Sequence, residues 1–248
     1  MKKLLFVYAL FISSTFARVI VISDIDDTIK KSNSMGGVSQ VYHFLKMKSY
    51  PLMSLIYQDI QRGNSSDEVS FFYVSAAPDF IYDQDKWLKK KGFPFGQSFL
   101  RKSLGDETYA YKMRTIRKIL SKVSKDDRLL FFGDNSSHDP KVYLDIIKEL
   151  RLRDARIFIR DVSTVKTFNL NRSPKINTLA INSFFSERDL LNLGLGLSAA
   201  TLREITKYSE QQTLVPLYTL NTLKRRMRAK ELCHGDCVYA EEMFFDYY

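Results

Sequence analysis

Cysteine is nearly missing from this chain: there are two in 248 residues, with one tryptophan, three histidines and six prolines. So few cysteines exclude a disulfide-dense scaffold, and the ordinary balance of 45% hydrophobic and 27% charged residues excludes bulk disorder and collagen-like sequence. No stretch rich in Pro or Ser marks a linker, and there is no internal repeat or low-complexity tract. After the first residues, no segment approaches the roughly 20 apolar residues that span a bilayer. Acidic residues are in deficit, 28 against 38 Lys and Arg, which gives a net charge of +10. A basic surplus favours acidic partners such as anionic lipid headgroups, phosphorylated substrates or nucleic acid, and does not choose among them. The length suits one large α/β domain, or one domain with an appendage, and is enough to bury a core without staples.

The first 17 residues read as a secretory signal peptide. Lys2 and Lys3 form a short positive region, Leu4 to Ile12 is an apolar run, and Thr15-Phe16-Ala17 offers small residues before a cut at Arg18. The expectation is export, to a periplasm or outside the cell. The rest divides at 183/184: an α/β catalytic domain over 18–183, then a helical C-terminal extension over 184–248 packed on the same domain.

From Arg18 onward, strand and helix signals alternate. Val19-Ile20-Val21-Ile22, Val69 to Val74, Leu129 to Phe132 and Ala155 to Ile159 read as buried strands, with Thr178 to Ile181 a weak fifth. Helical spacing predicts helices over 51–61, 79–91, 108–123 and 140–150, the last with Asp139 as N-cap and Pro140 at its first position. Further helices are expected over 186–195, 198–212 and 217–231. Strands separated by helices imply a parallel sheet, whose ligands sit outside the carboxyl ends of its strands.

The residues that follow each strand therefore carry the chemistry. After the first come Asp24, Asp26, Asp27 and Thr28. Residues i and i+2 of an extended chain face the same side, so Asp24 and Asp26 can share one site while Ile25 packs away. Carboxylates at the open end of a buried strand are costly without a compensating cation or strong hydrogen bonds. After the second strand, the Ser75 hydroxyl and the small-residue backbone behind it can donate to an anion. After the third, Gly133 allows an unusual turn and Asp134 brings another carboxylate to the rim. Clustered carboxyl oxygens suit Mg²⁺. Lys112, read alone, belongs on a solvated helix face, with Arg114, Arg117 and Lys118 as competitors. Asp139 is open between an outer support of a metal site and a helix cap.

Taken together, Asp-x-Asp-x-Thr, a Ser after strand two, a helix-borne Lys and Gly-Asp-x-x-x-x-Asp resemble the four-part signature of the haloacid dehalogenase-like phosphatases. Six ordered blocks, SDIDDTIKKS, FFYVSAAPDFIY, GFPFGQSFLR, YKMRTIRKIL, FFGDNSSHDPKVY and RIFIRDV, resemble the catalytic domain of the actin-patch-type phosphatidate phosphatases, relatives of lipins. The resemblance covers 18–162 and implies a Rossmann-like parallel sheet with helices on both faces and a minimal cap, since Thr28 and Ser75 lie too close for a large lid.

It implies Asp24 as nucleophile, forming an aspartyl-phosphate, and Asp26 as general acid and base. It implies Mg²⁺ held by Asp24, the Asp26 carbonyl and Asp134, with Ser75 and Lys112 on the phosphoryl oxygens. The implied reaction is Mg²⁺-dependent hydrolysis of a phosphomonoester, phosphatidate to diacylglycerol. The alternatives are a soluble phosphomonoester or phosphoprotein as substrate, and, more remotely, a non-catalytic phosphatidate-binding module. No nucleic-acid role is expected. An open rim, with Lys86 to Lys91 and Trp87 nearby, suggests peripheral contact with an anionic membrane surface. A second basic run, Lys224 to Lys230, reads as a solvated face, and Cys233 and Cys237 could close a small disulfide loop.

Overall fold

The structure is a computed structural model and describes residues 18–32, 47–64, 68–103, 105–160, 162, 181–184 and 186–210. Residues 1–17, Lys224 to Lys230, Cys233 and Cys237 lie outside them, as does the helix expected over 217–231.

Among the described residues six parallel strands form one sheet: β1 (Val19–Ser23), β2 (Val69–Pro78), β3 (Gln97–Arg101), β4 (Arg128–Asp134), β5 (Ala155–Arg160) and β6 (Ile181–Phe184). Their spatial order is β3-β2-β1-β4-β5-β6. The crossovers described are α1 (Met53–Gly63), α2 (Gln84–Lys90), α3 (Thr108–Leu120) and α4 (Asp139–Leu150), and α5 (Ala199–Glu210) follows the sheet. The period of two splits the strands between two cores. Val19, Val21, Phe71, Tyr73, Phe132 and Phe158 pack with α1, α2 and α5. Ile20, Ile22, Val74, Phe131, Ile157 and Ile159 pack with α3 and α4 on the other side. Helices thus cover both faces, which is why the central strands read as unbroken apolar runs.

Four expectations change. β3 has no counterpart among the expected strands: it is an edge element, half-exposed along most of its length, and only Phe99 and Leu100 in it are apolar. The fifth expected strand extends past Ile181 to Phe184, and the rest of its expected span, Thr178 to Ala180, lies outside the described residues. The helix expected over 186–195 is a turn with one short 3₁₀ segment, Asp189–Asn192, and Gly194 and Gly196 at φ +63° and +70° stop any helix there. Trp87 is buried rather than interfacial: it stacks on Phe93 and donates from its indole N–H to the Met47 carbonyl at 3.0 Å.

Beyond the sheet, Asp59 on α1 accepts from the Ser198 backbone N–H at 2.6 Å and the Ser198 hydroxyl at 2.8 Å. That bond pair ties the start of α5 to α1, and Ile205 enters the core beneath it.

Candidate active site

β1 lies between β2 on one side and the next inner strand, β4, on the other. The carboxyl ends of β1 and β4 therefore flank the switch point where doubly wound sheets take their ligands. Asp24 continues the ladder there, donating its N–H to the Phe132 carbonyl at 2.8 Å. The chain then turns tightly: the Ile25 carbonyl accepts from the N–H groups of Thr28, Ile29 and Lys30, at 3.3, 3.0 and 2.9 Å. Asp27 takes the left-handed conformation in that turn, φ +62°, and its carboxylate receives the Ser32 N–H at 3.1 Å.

Three buried carboxylates converge at this point. Asp24, Asp134 at the end of β4 and Asp139 at the start of α4 each offer an oxygen within 4.8 Å of the others. Thr28 donates its hydroxyl to Asp24 Oδ2 at 3.1 Å and lies 3.3 Å from Asp134 Oδ2. Ser136 N–H reaches Asp134 Oδ1 at 2.6 Å. Lys112, buried on α3, donates from Nζ to Asp24 Oδ1 at 2.7 Å and also to Asp139 Oδ1. Arg114, Arg117 and Lys118 face solvent on the same helix. Asp139 does not cap α4. His138 holds the cap position without a side-chain bond, and the Asp139 carboxylate faces Lys112 and the Asp134 N–H instead.

The electrostatics follow from that crowding. Burial pushes the Asp24 carboxyl well above the usual carboxylate range; Lys112 opposes the shift, and Asp139, Asp134 and Asp26 add to it. Asp134 rises to about 7, first by burial and then by Asp139 and Asp27. Burial alone would lower Lys112, but Asp139, Asp24 and Asp134 outweigh it and hold the ammonium well above its ordinary range.

Asp26 stands slightly apart. Its carboxylate takes no place among the three converging acids and receives the Ser32 hydroxyl at 2.5 Å, the Lys30 ammonium at 3.4 Å and the Ser75 hydroxyl at 2.9 Å. Ser75, expected to serve a phosphate, thus rests on Asp26 and in turn accepts the Ala77 N–H at 3.0 Å. Lys30 is fully buried, its ammonium 4.3 Å from the centre of the Tyr82 ring. Burial lowers its pKa, against the pull of Asp26 and Asp27.

Gly133 serves space rather than an unusual turn. It lies within β4, and a Cβ there would meet Asp139 Cβ at 2.7 Å and Tyr143 Cε2 at 2.8 Å. The six residues expected to form the site, Asp24, Asp26, Ser75, Lys112, Asp134 and Asp139, all lie at this rim. Sequence reasoning missed Lys30, Ser32 and Arg160. Arg160 is fully buried, donates to the Thr28 carbonyl at 3.1 Å and to Glu187 Oε1 at 2.6 Å, and stacks 3.6 Å above the Tyr50 ring. No local signal marks it, because an Arg at the end of a strand ordinarily meets solvent.

Residues 19–161 match the family model described as phosphatidate phosphatase APP1, catalytic domain. The chain belongs to that family. It is accordingly a phosphatase, a phosphoric monoester hydrolase, and the family match covers β1 to β5 and all six rim residues. No curated protein matches the sequence. One similar solved structure is the class C acid phosphatase from Bacillus anthracis with tungstate bound, 16% identical, over 82% of this chain and 83% of that one. Its TM-score of 0.33 is too low for the likeness to carry an argument.

Proposed function

We propose that this phosphatase hydrolyses phosphatidate to diacylglycerol and orthophosphate, with Mg²⁺ as cofactor and Asp24 as the nucleophile. The observation that carries the mechanism is the convergence of Asp24, Asp134 and Asp139 at the switch point, with Lys112 bonded to Asp24 and Asp139. The family description supports the substrate.

The donor set fits a hard divalent cation. All three groups are carboxylates, and Asp24 and Asp134 keep raised pKa values even with one ammonium beside them, so their crowding calls for more positive charge. Asp24 and Asp134 would hold the ion, with the Asp26 backbone carbonyl as a third oxygen and Asp139 behind them. Bound there, Mg²⁺ would keep Asp24 ionised and screen the phosphate dianion from the carboxylates.

In the first half-reaction an Asp24 carboxylate oxygen attacks phosphorus and the bond to the lipid oxygen breaks. Asp26 gives its proton to that leaving oxygen, which departs as diacylglycerol. In the second, Asp26 takes a proton from water, the water oxygen attacks the aspartyl-phosphate, and orthophosphate leaves with Asp24 restored. The hydroxyl of Ser32 and the ammonium of Lys30, which bond the Asp26 carboxylate, would steady it between the two proton transfers. Ser75 and Lys112 would turn their donors from carboxylates to the phosphoryl oxygens, a charge-assisted exchange. Export remains part of this proposal, supported by the pattern of residues 1–17.

A phosphate-release assay tests the whole reading: phosphatidate in mixed micelles beside soluble phosphomonoesters, with Mg²⁺ or chelator. Phosphatidate should be the preferred substrate and chelation should abolish turnover. Asp24→Asn should lower turnover by about four orders of magnitude or more, as removal of a covalent nucleophile does. Zinc restoring activity where magnesium does not would overturn the metal assignment. Equal or better turnover of soluble esters would overturn the lipid.

A further inference from the structure

Four large apolar side chains are well exposed among the described residues: Phe80, Ile81, Phe95 and Leu150. Phe95 precedes β3 and Leu150 ends α4, so both stand alone on the side of the sheet away from the site. Phe80 and Ile81 are adjacent, 71% and 42% exposed, and follow the carboxyl end of β2 directly.

The tip that carries them is anchored on both sides. Asp79 donates its N–H to the Arg101 carbonyl at 3.1 Å, and Ile81 to the Pro78 carbonyl at 3.3 Å. The next residue, Tyr82, lays its ring against Lys30, whose ammonium is 3.4 Å from Asp26. The pair is therefore held outward within a few residues of the general acid. Neither residue joins either core. Turn tips usually carry Gly, Pro, Asn, Asp or Ser, so the fold alone does not call for Phe-Ile here.

On the reading that the substrate is phosphatidate, its phosphate sits in a headgroup layer and the site must come down onto that layer. Whatever projects from the rim enters the acyl boundary first. We propose that Phe80 and Ile81 form an apolar wedge that inserts into the phosphatidate-bearing bilayer and seats the site on it. The exposed acids Asp79, Asp83 and Asp85 offset Lys86 and Lys102 around the tip, so insertion is driven by apolar burial rather than by charge. The lysines at the end of α2 stand away from the rim, because α2 runs from the carboxyl end of β2 toward the amino end of β3.

The test uses the whole chain and phosphatidylcholine vesicles with and without phosphatidate. Phe80→Ser/Ile81→Ser should lose about tenfold or more in vesicle sedimentation and in turnover of vesicle phosphatidate. Its turnover of short-chain phosphatidate below the micelle concentration should stay within about twofold of the wild type, since no site residue is touched. Phe80→Trp should retain activity and shift its added emission to the blue with vesicles, against a constant signal from buried Trp87. Wild-type vesicle turnover by the double Ser variant, or an added indole emission that vesicles leave unshifted in Phe80→Trp, overturns the wedge while leaving the lipid reading intact. A wild-type enzyme that cleaves soluble esters but not short-chain phosphatidate overturns the lipid reading, and the wedge with it.

Discussion

Lys112 Nζ lies 2.7 Å from Asp24 Oδ1, and the two side chains are almost fully buried. They come from α3 and the end of β1, 88 residues apart in sequence. The same ammonium meets Asp139, so among the described residues one ammonium bonds two members of an acidic trio completed by Asp134. That imbalance of charge organises the site.

Removing the ammonium should be costly. Lys112→Met leaves buried carboxylates without their partner, a change expected to cost about 3 kcal/mol and roughly 6–12 °C in Tm for a chain of this size. Asp139→Asn in the same chain should restore part of the loss, because it deletes one of the stranded charges. Thermal melts of the two variants without metal check this. A double variant as unstable as the single one would detach Asp139 from the network.

Acidity gives a second measurement. Asp134 has a folded pKa of about 7, above the unfolded carboxyl near about 3.9. Between those values the folded chain keeps a proton that the unfolded chain has lost, so stability falls as pH rises. Asp24, raised in the same direction, adds to the trend. In chelator, Tm should drop across that window. Mg²⁺ near neutral pH should raise it, by binding the ionised folded state. A Tm that is flat with pH and indifferent to Mg²⁺ would refute the cation site.

Gly133→Ala tests the packing behind the acidic trio. Its Cβ would stand 2.7 Å from Asp139 Cβ and 2.8 Å from Asp139 Oδ2. Either β4 or α4 must shift, costing about 1–3 kcal/mol. Because the nearest atoms belong to Asp139, turnover should fall at least about tenfold even where the protein stays folded. Activity measured well below Tm separates the two effects.

Arg160 ties the turn after β1 to the segment after the sheet, through the Thr28 carbonyl and Glu187. Arg160→Lys keeps the charge but loses the planar stack on Tyr50 and the reach to both partners. We expect a loss of stability of about 3 kcal/mol, close to that of Glu187→Gln, since each leaves a buried ion poorly paired. Denaturant midpoints compare them directly; a Lys variant with wild-type stability would show that charge alone suffices.

Elements with local signals are legible in the residues alone. Four consecutive β-branched residues dictate a strand buried on both faces, and Asp24 and Asp26 directly after it must lie at a strand end. Gly133-Asp134 repeats that logic for β4. Helical spacing placed α1, α3, α4 and α5 to within a few residues. Which polar groups leave water depends instead on contacts made across the fold. Of the four cations on α3, Lys112 alone among them faces Asp24 and Asp139, while Arg114 and Arg117 pair with Asp106 and Glu149 at the surface. Asp139 became a member of the acidic trio rather than a cap, and Lys30 and Arg160 went to the interior. The edge strand β3 and buried Trp87 escaped the sequence for the same reason. A side chain's burial depends on what the fold brings opposite it, and those partners lie tens of residues away.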